Sequence, residues 1–174
     1  TSYRSASAQF SVCYGYHATS PTDPSSEWPV FSQTGQGWSF KAALGNGTTA
    51  WLQTVEDNAQ GRELVKSGAK AQDGTWKVSC HPARDRVFRV GDCAARIDPS
   101  SGKGVMRAIM SAMMAVHLIH ARDQGKLSRN EAETTYSEWL ENWFNSDVSA
   151  LKTLRAARHD GAKECVPSID IPAL

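Results

Sequence analysis

Val87-Phe88-Arg89-Val90-Gly91-Asp92-Cys93-Ala94-Ala95-Arg96-Ile97-Asp98-Pro99-Ser100-Ser101-Gly102-Lys103-Gly104-Val105-Met106 reads as strand, turn, loop and helix start, in that order. Val87, Phe88 and Val90 are residue types that fit a pleated, half-buried surface. Gly91-Asp92 ends that run with a turn signal, and Asp98-Pro99 breaks the chain again. Gly102-Lys103-Gly104 then opens a run from Val105 to His120 that holds no Gly or Pro. Its apolar residues Val105, Ile109, Met113, Val116 and Ile119 recur every three or four positions, which predicts a helix. A helix start leaves backbone N–H groups without intrahelical partners and presents the positive end of the dipole. Glycine at 102 and 104 lets a ligand approach that backbone closely. The place suits an anion or an electron-rich carbonyl edge. Asp92, at the strand's end, adds a carboxylate that accepts a hydrogen bond from a hydroxyl.

Upstream of this stretch the chain reads as β structure. Ala8–His17 alternates loosely and carries Phe10, Val12, Tyr14 and Tyr16. A Ser/Thr/Pro/Asp-rich loop, 18–27, leads to a short strand at Trp28–Ser32 and a turn at Thr34–Gly37. Trp38–Leu44 and Thr48–Val55 flank Gly45-Asn46-Gly47, which predicts a hairpin because Gly and Asn tolerate positive φ. The expected result is an antiparallel sheet with aromatic side chains on one face. Asp57–Gly68 reads as a short helix around Leu64 and Val65, Ala69–Thr75 as loop, and Trp76–Ser79 as a short strand. Downstream, Gly125 stops the long helix near Arg122 and Lys126. Ser128-Arg129-Asn130-Glu131 is a capping box. A helix is expected from there to about Phe144, with Tyr136, Trp139, Leu140, Trp143 and Phe144 on one stripe. A third helix, capped by Ser146 or Asp147 and carrying Val148, Leu151 and Leu154, is expected to reach about Arg158, with Gly161 and Pro167 in an irregular tail.

The 174 residues are 40% hydrophobic, enough for a core, and the net charge of +1 gives no electrostatic case for nucleic acid or an acidic membrane. Cys13, Cys80, Cys93 and Cys165 are widely spaced, which argues against a zinc knuckle and for reduced, cytoplasmic thiols. No long uninterrupted apolar run for a membrane span stands out. Thr1-Ser2-Tyr3-Arg4 is neither a signal peptide nor an initiator methionine, so the chain is expected to start late. His117 and His120 share a helix without a carboxylate in sequence reach, so no metal site is expected. Met106, Met110, Met113 and Met114 read as core filler.

Gly91, Asp92, Ala94, Asp98, Pro99, Ser101, Gly102 and Gly104, in this order, resemble the second FAD-binding motif of flavin-dependent aromatic monooxygenases. The likeness is closer to the branch of flavin-dependent halogenases and of hydroxylases that prepare tryptophan-derived quinone cofactors. Cys93 stands where the motif has alanine. That branch carries Trp-x-Trp-x-Ile-Pro in its substrate sheet; here Trp38 matches, Phe40 replaces the second tryptophan and Ala42-Ala43 replaces Ile-Pro. The departure argues against a halogenase and for a hydroxylase. The resemblance covers roughly residues 8 to 125. It implies an α+β fold in three parts: a substrate-domain antiparallel sheet (1–84), a strand–loop–helix closing the FAD site (85–125), and C-terminal helices and tail (126–174). The N-terminal Rossmann unit with Gly-x-Gly-x-x-Gly is missing, since Gly35-x-Gly37 and Gly45-x-Gly47 sit in expected hairpin turns. The implied partner is an N-terminal FAD-domain half.

The resemblance further implies FAD as cofactor, NAD(P)H as reductant, and oxygen transfer to an aromatic ring, in a small molecule or a peptidyl tryptophan, through a flavin hydroperoxide. The cofactor residues would be Gly91, Asp92, Pro99, Gly102, Lys103, Gly104 and Val105. Asp92 would accept from the ribityl chain, and the 102–105 N–H groups would face the flavin pyrimidine edge. Each has a plainer reading. Asp92 then forms a turn, Gly102–Val105 cap a helix, Pro99 stiffens a turn and Asp98 caps a loop. Trp38, Phe40, Tyr14 and Tyr16 either line a substrate pocket or pack a core. A halogenase, or a non-catalytic interaction module on the same fold, are the rival functions.

Overall fold

In the computed structural model, the described residues are 2–20, 22, 25, 27–34, 37–56, 63, 66 and 68–161. Their strands are β1 (Tyr3–Ser5), β2 (Phe10–Ala18), β3 (Val30–Thr34), β4 (Gly37–Ala43), β5 (Thr48–Glu56), β6 (Lys70–Asp73), β7 (Lys77–Ser79), β8 (Ala83–Arg84), β9 (Val87–Phe88) and β10 (Ala95–Arg96). The helices are α1 (Gly104–Asp123) and α2 (Arg129–Gly161). The fold is α+β. Most of the expected helix at Asp57–Gly68 lies outside the described residues, as do Cys165 and Pro167 in the tail; of the remainder, Glu63 and Lys66 are helical and Gly68 is in a turn.

The chain divides into two compact units. One holds Gln9–Gly74 and is an antiparallel sheet in the order β3-β4-β5-β2-β6. The β4–β5 hairpin closes as the glycines suggest: Gly45 and Gly47 both take φ +76°, the Leu44 N–H donates to the Thr48 carbonyl at 2.8 Å, and Asn46 Oδ1 accepts from the Thr48 N–H at 3.1 Å. Lys70–Asp73, expected as loop, is instead an edge strand, registered on β2 from Ser11↔Asp73 to Tyr14↔Lys70. All four residues are exposed. Their composition is not that of a buried strand, and the open backbone edge of β2 decides the pairing.

The other unit holds Thr1–Ala8 and Thr75–Ala157. It contains a three-stranded antiparallel sheet, β1-β7-β10, a small β8–β9 hairpin, and the two helices. The expected central strand at 87–90 shrinks to Val87–Phe88 within that hairpin. Its turn residues Asp85 and Arg86 have φ of +54° and +67°, the geometry of a type I′ turn. Ser128 and Glu131 form the capping box: Ser128 Oγ accepts from the Glu131 N–H at 3.2 Å, and Glu131 Oε2 accepts from the Ser128 N–H at 2.7 Å. These bonds hold the Glu131 carboxyl below its usual range. The expected break between Phe144 and Val148 does not occur. Residues 129–160 contain no Gly or Pro, so nothing stops the helix. Asp147 does not cap a new helix; it turns inward to Lys103 and Arg107. Ala132, Tyr136, Leu140, Phe144 and Val148 recur every four residues and are buried, as are Trp76, Val78, Ala94 and Ile97.

Candidate functional site

Gly91 opens a 3-10 turn, Gly91–Cys93, with φ +58°, a conformation natural to glycine. Its N–H donates to Ser111 Oγ at 3.0 Å, and a β-carbon there would meet the Ala108 methyl at 3.4 Å. The turn therefore sits directly against α1. Ser111 Oγ in turn donates to the Ala108 carbonyl at 3.0 Å. Ser111 was not singled out by sequence reasoning; a lone serine in an apolar helical run was the available signal. Asp92 lies inside this turn rather than at a strand end, because pairing stops at Phe88. Its carboxylate is mostly exposed and 3.6 Å from Arg96 Nε.

Asp98 is buried, and its Oδ1 accepts from the Ser100 N–H at 3.0 Å, the local cap that its sequence suggests. Its other oxygen accepts from Arg155 on α2. Pro99 leads a second 3-10 turn, Pro99–Ser101, and Gly102 closes it with φ +65°. Residues 102–106 are all exposed. No side chain caps α1, and a β-carbon at Gly102 or Gly104 would meet nothing within 4 Å. The first-turn N–H groups of α1 thus face open space with the positive dipole end behind them. A group approaching the backbone at Gly102 or Gly104 would displace no side chain. Lys103 is tied back, its Nζ 3.0 Å from Asp147 Oδ1.

The faces of α1 are not as periodicity suggested. The buried side holds Arg107, Ser111, Ala115 and Leu118. Val105, Met106, Ile109, Met110, Met113 and Val116 are exposed, among them three of the four methionines expected as core filler, and Met114 is half-buried. The stripe is real, but nothing among the described residues covers it. By length and composition α1 is also apolar enough to cross a membrane, although Arg107, Ser111, His117 and His120 interrupt its apolar run. Arg107 pairs with Asp147 and lies 5.0 Å over the Trp143 ring. Burial lowers its guanidinium to about 10. Tyr136, beneath Phe88 in an edge-on contact, donates to the Arg89 carbonyl at 2.5 Å. Burial pushes its phenol up to about 12.

The aromatic residues lie in the sheet unit. Phe31, Phe40, Leu52 and Tyr14 are paired in turn across β3, β4, β5 and β2, so they form one row on one face. Trp38 and Tyr16, two residues from Phe40 and Tyr14, share that face. Trp38 is buried, and its backbone is gripped by Thr54 Oγ1, which accepts from its N–H at 2.8 Å and donates to its carbonyl at 3.1 Å. Phe40 and Tyr14 are half-buried, and Tyr16 is exposed. Phe31, missed from sequence, stacks on Trp38 with ring centres 6.0 Å apart. A cleft of about 220 Å³ in the other unit, lined by Arg4, Val78, Cys80, Ser137 and Glu141 among others, contains none of the predicted site residues.

No family model and no curated protein matches the sequence. Solved structures do match. The peptidyl tryptophan dihydroxylase QhpG, essential for tryptophylquinone cofactor biogenesis, aligns with a TM-score of 0.64 at 18% identity, over 78% of this chain and 37% of its own. The flavin-dependent halogenase CmlS aligns with a TM-score of 0.65 at 14% identity, over 82% of this chain and 31% of its own. The fold is shared with part of these two enzymes. A Diels-Alderase from pyrroindomycin biosynthesis has a TM-score of 0.68 at 16% identity, over 89% of this chain and 38% of its own. One architecture therefore hosts different reactions, and the fold does not choose among them. The chain spans about a third of the length of these structures.

Proposed function

We propose that this chain is one part of a flavin-dependent monooxygenase that hydroxylates an aromatic ring, with peptide-held tryptophan as the first substrate to try. The single observation that carries the reading is the open, uncapped start of α1 at Gly102–Val105. FAD, reduced by NAD(P)H, would supply the redox chemistry with oxygen. The chain's own residues would bind and orient. Asp92 would accept from a ribityl hydroxyl, the N–H groups of Gly104 and Val105 would donate to the ring's pyrimidine edge, Gly102 and Lys103, whose own N–H groups go to the Pro99 carbonyl and Ser101 Oγ, would bring the backbone up to it, and Pro99 would flank its face. Gly91 would let the Asp92 turn lie against α1. Trp38, Phe40, Tyr14 and Tyr16 would hold an aromatic substrate against the sheet. The boundaries 1–84, 85–125 and 126–174 then describe functional parts, which need not coincide with the packing units.

An FAD-binding half, on the same polypeptide or another, completes the site in this reading. The uncovered apolar face of α1 supports that partner. A halogenase is the second reading, supported by the halogenase neighbours and opposed by Phe40 and Ala42-Ala43 in place of the tryptophan and Ile-Pro. A chloride-dependent product by mass spectrometry would select it. The main test uses the native protein with whatever chain completes it. Gly104→Leu adds a side chain into open space at the first turn of a helix, where leucine is the better helix former. Thermal stability is expected to hold or rise while FAD affinity falls by about tenfold or more, read by flavin absorbance after dialysis. Unchanged flavin retention in the variant, or a native protein that carries none, defeats the proposal.

A further inference from the structure

We propose that α2, through Asp147 and Arg155, braces the 98–103 loop and so sets the direction of the N–H groups at Gly104 and Val105; Asp147 and Arg155 are positioning residues. The inference rests on the flavin reading above. Inside the loop lie two 3-10 bonds, Ser101 N–H to the Asp98 carbonyl at 3.0 Å and Gly102 N–H to the Pro99 carbonyl at 3.1 Å, and two short side-chain turns, Ser100 N–H to Asp98 Oδ1 at 3.0 Å and Lys103 N–H to Ser101 Oγ at 3.3 Å. Each end is also tied to the same helix.

At the front end, the Arg155 guanidinium donates to the buried carboxylate of Asp98 and lies 4.6 Å over the Trp76 ring, itself buried. At the back end, the buried Asp147 carboxylate takes Lys103 Nζ at 3.0 Å and also pairs with Arg107, one turn into α1. Asp147 and Arg155 are eight residues apart, so they fall on one side of α2 about 12 Å from each other. Two fixed points on a rigid rod thus clamp both ends of a six-residue loop. Asp98 is buried, and a buried carboxylate that loses a cation is costly, so the front end resists opening, while at the back end Arg107 holds Asp147 in place to receive Lys103. Arg155's fork and its stacking on Trp76 fix direction as well as distance.

The test compares Arg155→Met, Arg155→Lys and Lys103→Met in the native protein. Lys103→Met cuts the back tether and leaves the Arg107–Asp147 pair intact. Two measurements are made: amide hydrogen exchange of the 98–105 peptides, which needs no flavin, and FAD affinity with the bound flavin's visible spectrum. In Arg155→Met and Lys103→Met, exchange at 98–105 is expected to quicken by about tenfold with the 38–56 peptides unchanged. FAD is expected to bind about tenfold more weakly with a shifted spectrum, and Arg155→Lys to recover part of both. Unchanged exchange in both variants overturns the brace. Faster exchange with unaltered affinity and spectrum overturns the positioning role. A parent protein that binds no FAD overturns the flavin reading and the positioning role with it, and the exchange data then show whether the clamp itself exists.

Discussion

The two sides of α1 invert the usual rule. Its buried side carries a guanidinium and a hydroxyl, Arg107 and Ser111, among Ala115 and Leu118. Its exposed side carries Val105, Met106, Ile109, Met110, Met113 and Val116. Both polar residues are there for a reason. Arg107 neutralises Asp147, and Ser111 receives the Gly91 N–H. A contiguous apolar strip left to solvent is unusual for a chain that works alone. The polar pairs of this helix serve neighbours within the chain, while its apolar strip has no cover among the described residues.

The largest effect is expected from truncating one residue on each side of α1. Leu118→Ala is expected to lower unfolding free energy by about 2–5 kcal/mol, since its side chain is buried and leaves a cavity. Ile109→Ala, on the exposed side, is expected to change the free chain by no more than about 0.5 kcal/mol. Urea denaturation of both variants decides it. Equal losses would mean that the outer strip is already covered. Ile109→Asp sharpens the point: it is expected to spare the fold and abolish association with an FAD-binding half. If it leaves that association intact and abolishes flotation with phospholipid vesicles, lipid covers the strip.

What sequence could and could not supply follows the same division. The β4–β5 hairpin, the capping box at Ser128 and Glu131, and the helix start after Gly102 are local, and local chemistry announced each of them. Periodicity located the stripe of α1 but not its burial, because a stripe says only that something apolar is met. The continuity of α2 through Asp147 was misread for the opposite reason. An Asp after a Ser has the chemistry of a cap, and its real partner, Lys103, is 44 residues away. Asp98 and Arg155 are 57 apart. No spacing rule connects such pairs. The β6 edge was hidden likewise, since Lys70–Asp73 owes its form to β2 and not to its own residues.

A second, smaller effect sharpens the polar side. The Tyr136 phenol, neutral in the core, is pushed up to about 12 by burial. Below pH 10 it is protonated in both the folded and unfolded chain. Between pH 10 and about 12 only the unfolded chain gives up the proton, so this contribution to stability falls as pH rises, by about 2–3 kcal/mol in all. Arg107, lowered to about 10, acts with the opposite sign over the same range, because the folded chain sheds its buried charge first. The parent's stability is therefore expected to change little there. Tyr136→Phe removes one of the two opposing contributions. It is expected to cost about 1 kcal/mol at pH 7 by orphaning the Arg89 carbonyl. It should then gain on the parent as pH climbs from 10 to 12. Parallel pH curves for the two proteins would show that the phenol titrates normally.

The smallest effect concerns two positions with nearly the same backbone and opposite residues. Gly91 at φ +58° and Arg86 at φ +67° both occupy the left-handed region, one with the residue suited to it and one without. Arg86 is held there because its N–H donates to Glu133 Oε1 at 3.1 Å, while Asp85 beside it accepts from Arg129 at 3.1 Å. Arg129, whose Nε donates to Glu133 Oε1 at 2.8 Å, and then the Arg86 N–H hold the Glu133 carboxyl below its usual range. Arg86→Gly keeps the backbone donor and relieves about 1–2 kcal/mol of left-handed strain. Glycine's freer unfolded chain takes back about 0.4–1 kcal/mol. A net gain of about 0.5–1 kcal/mol should raise the melting temperature by roughly 1–4 °C. Gly91→Ala faces the same backbone penalty without relief and adds a methyl contact on Ala108, so it should move the melting temperature downward. Melting curves for the pair carry the argument: shifts of the same sign would mean that these turns are not held in the left-handed region in solution.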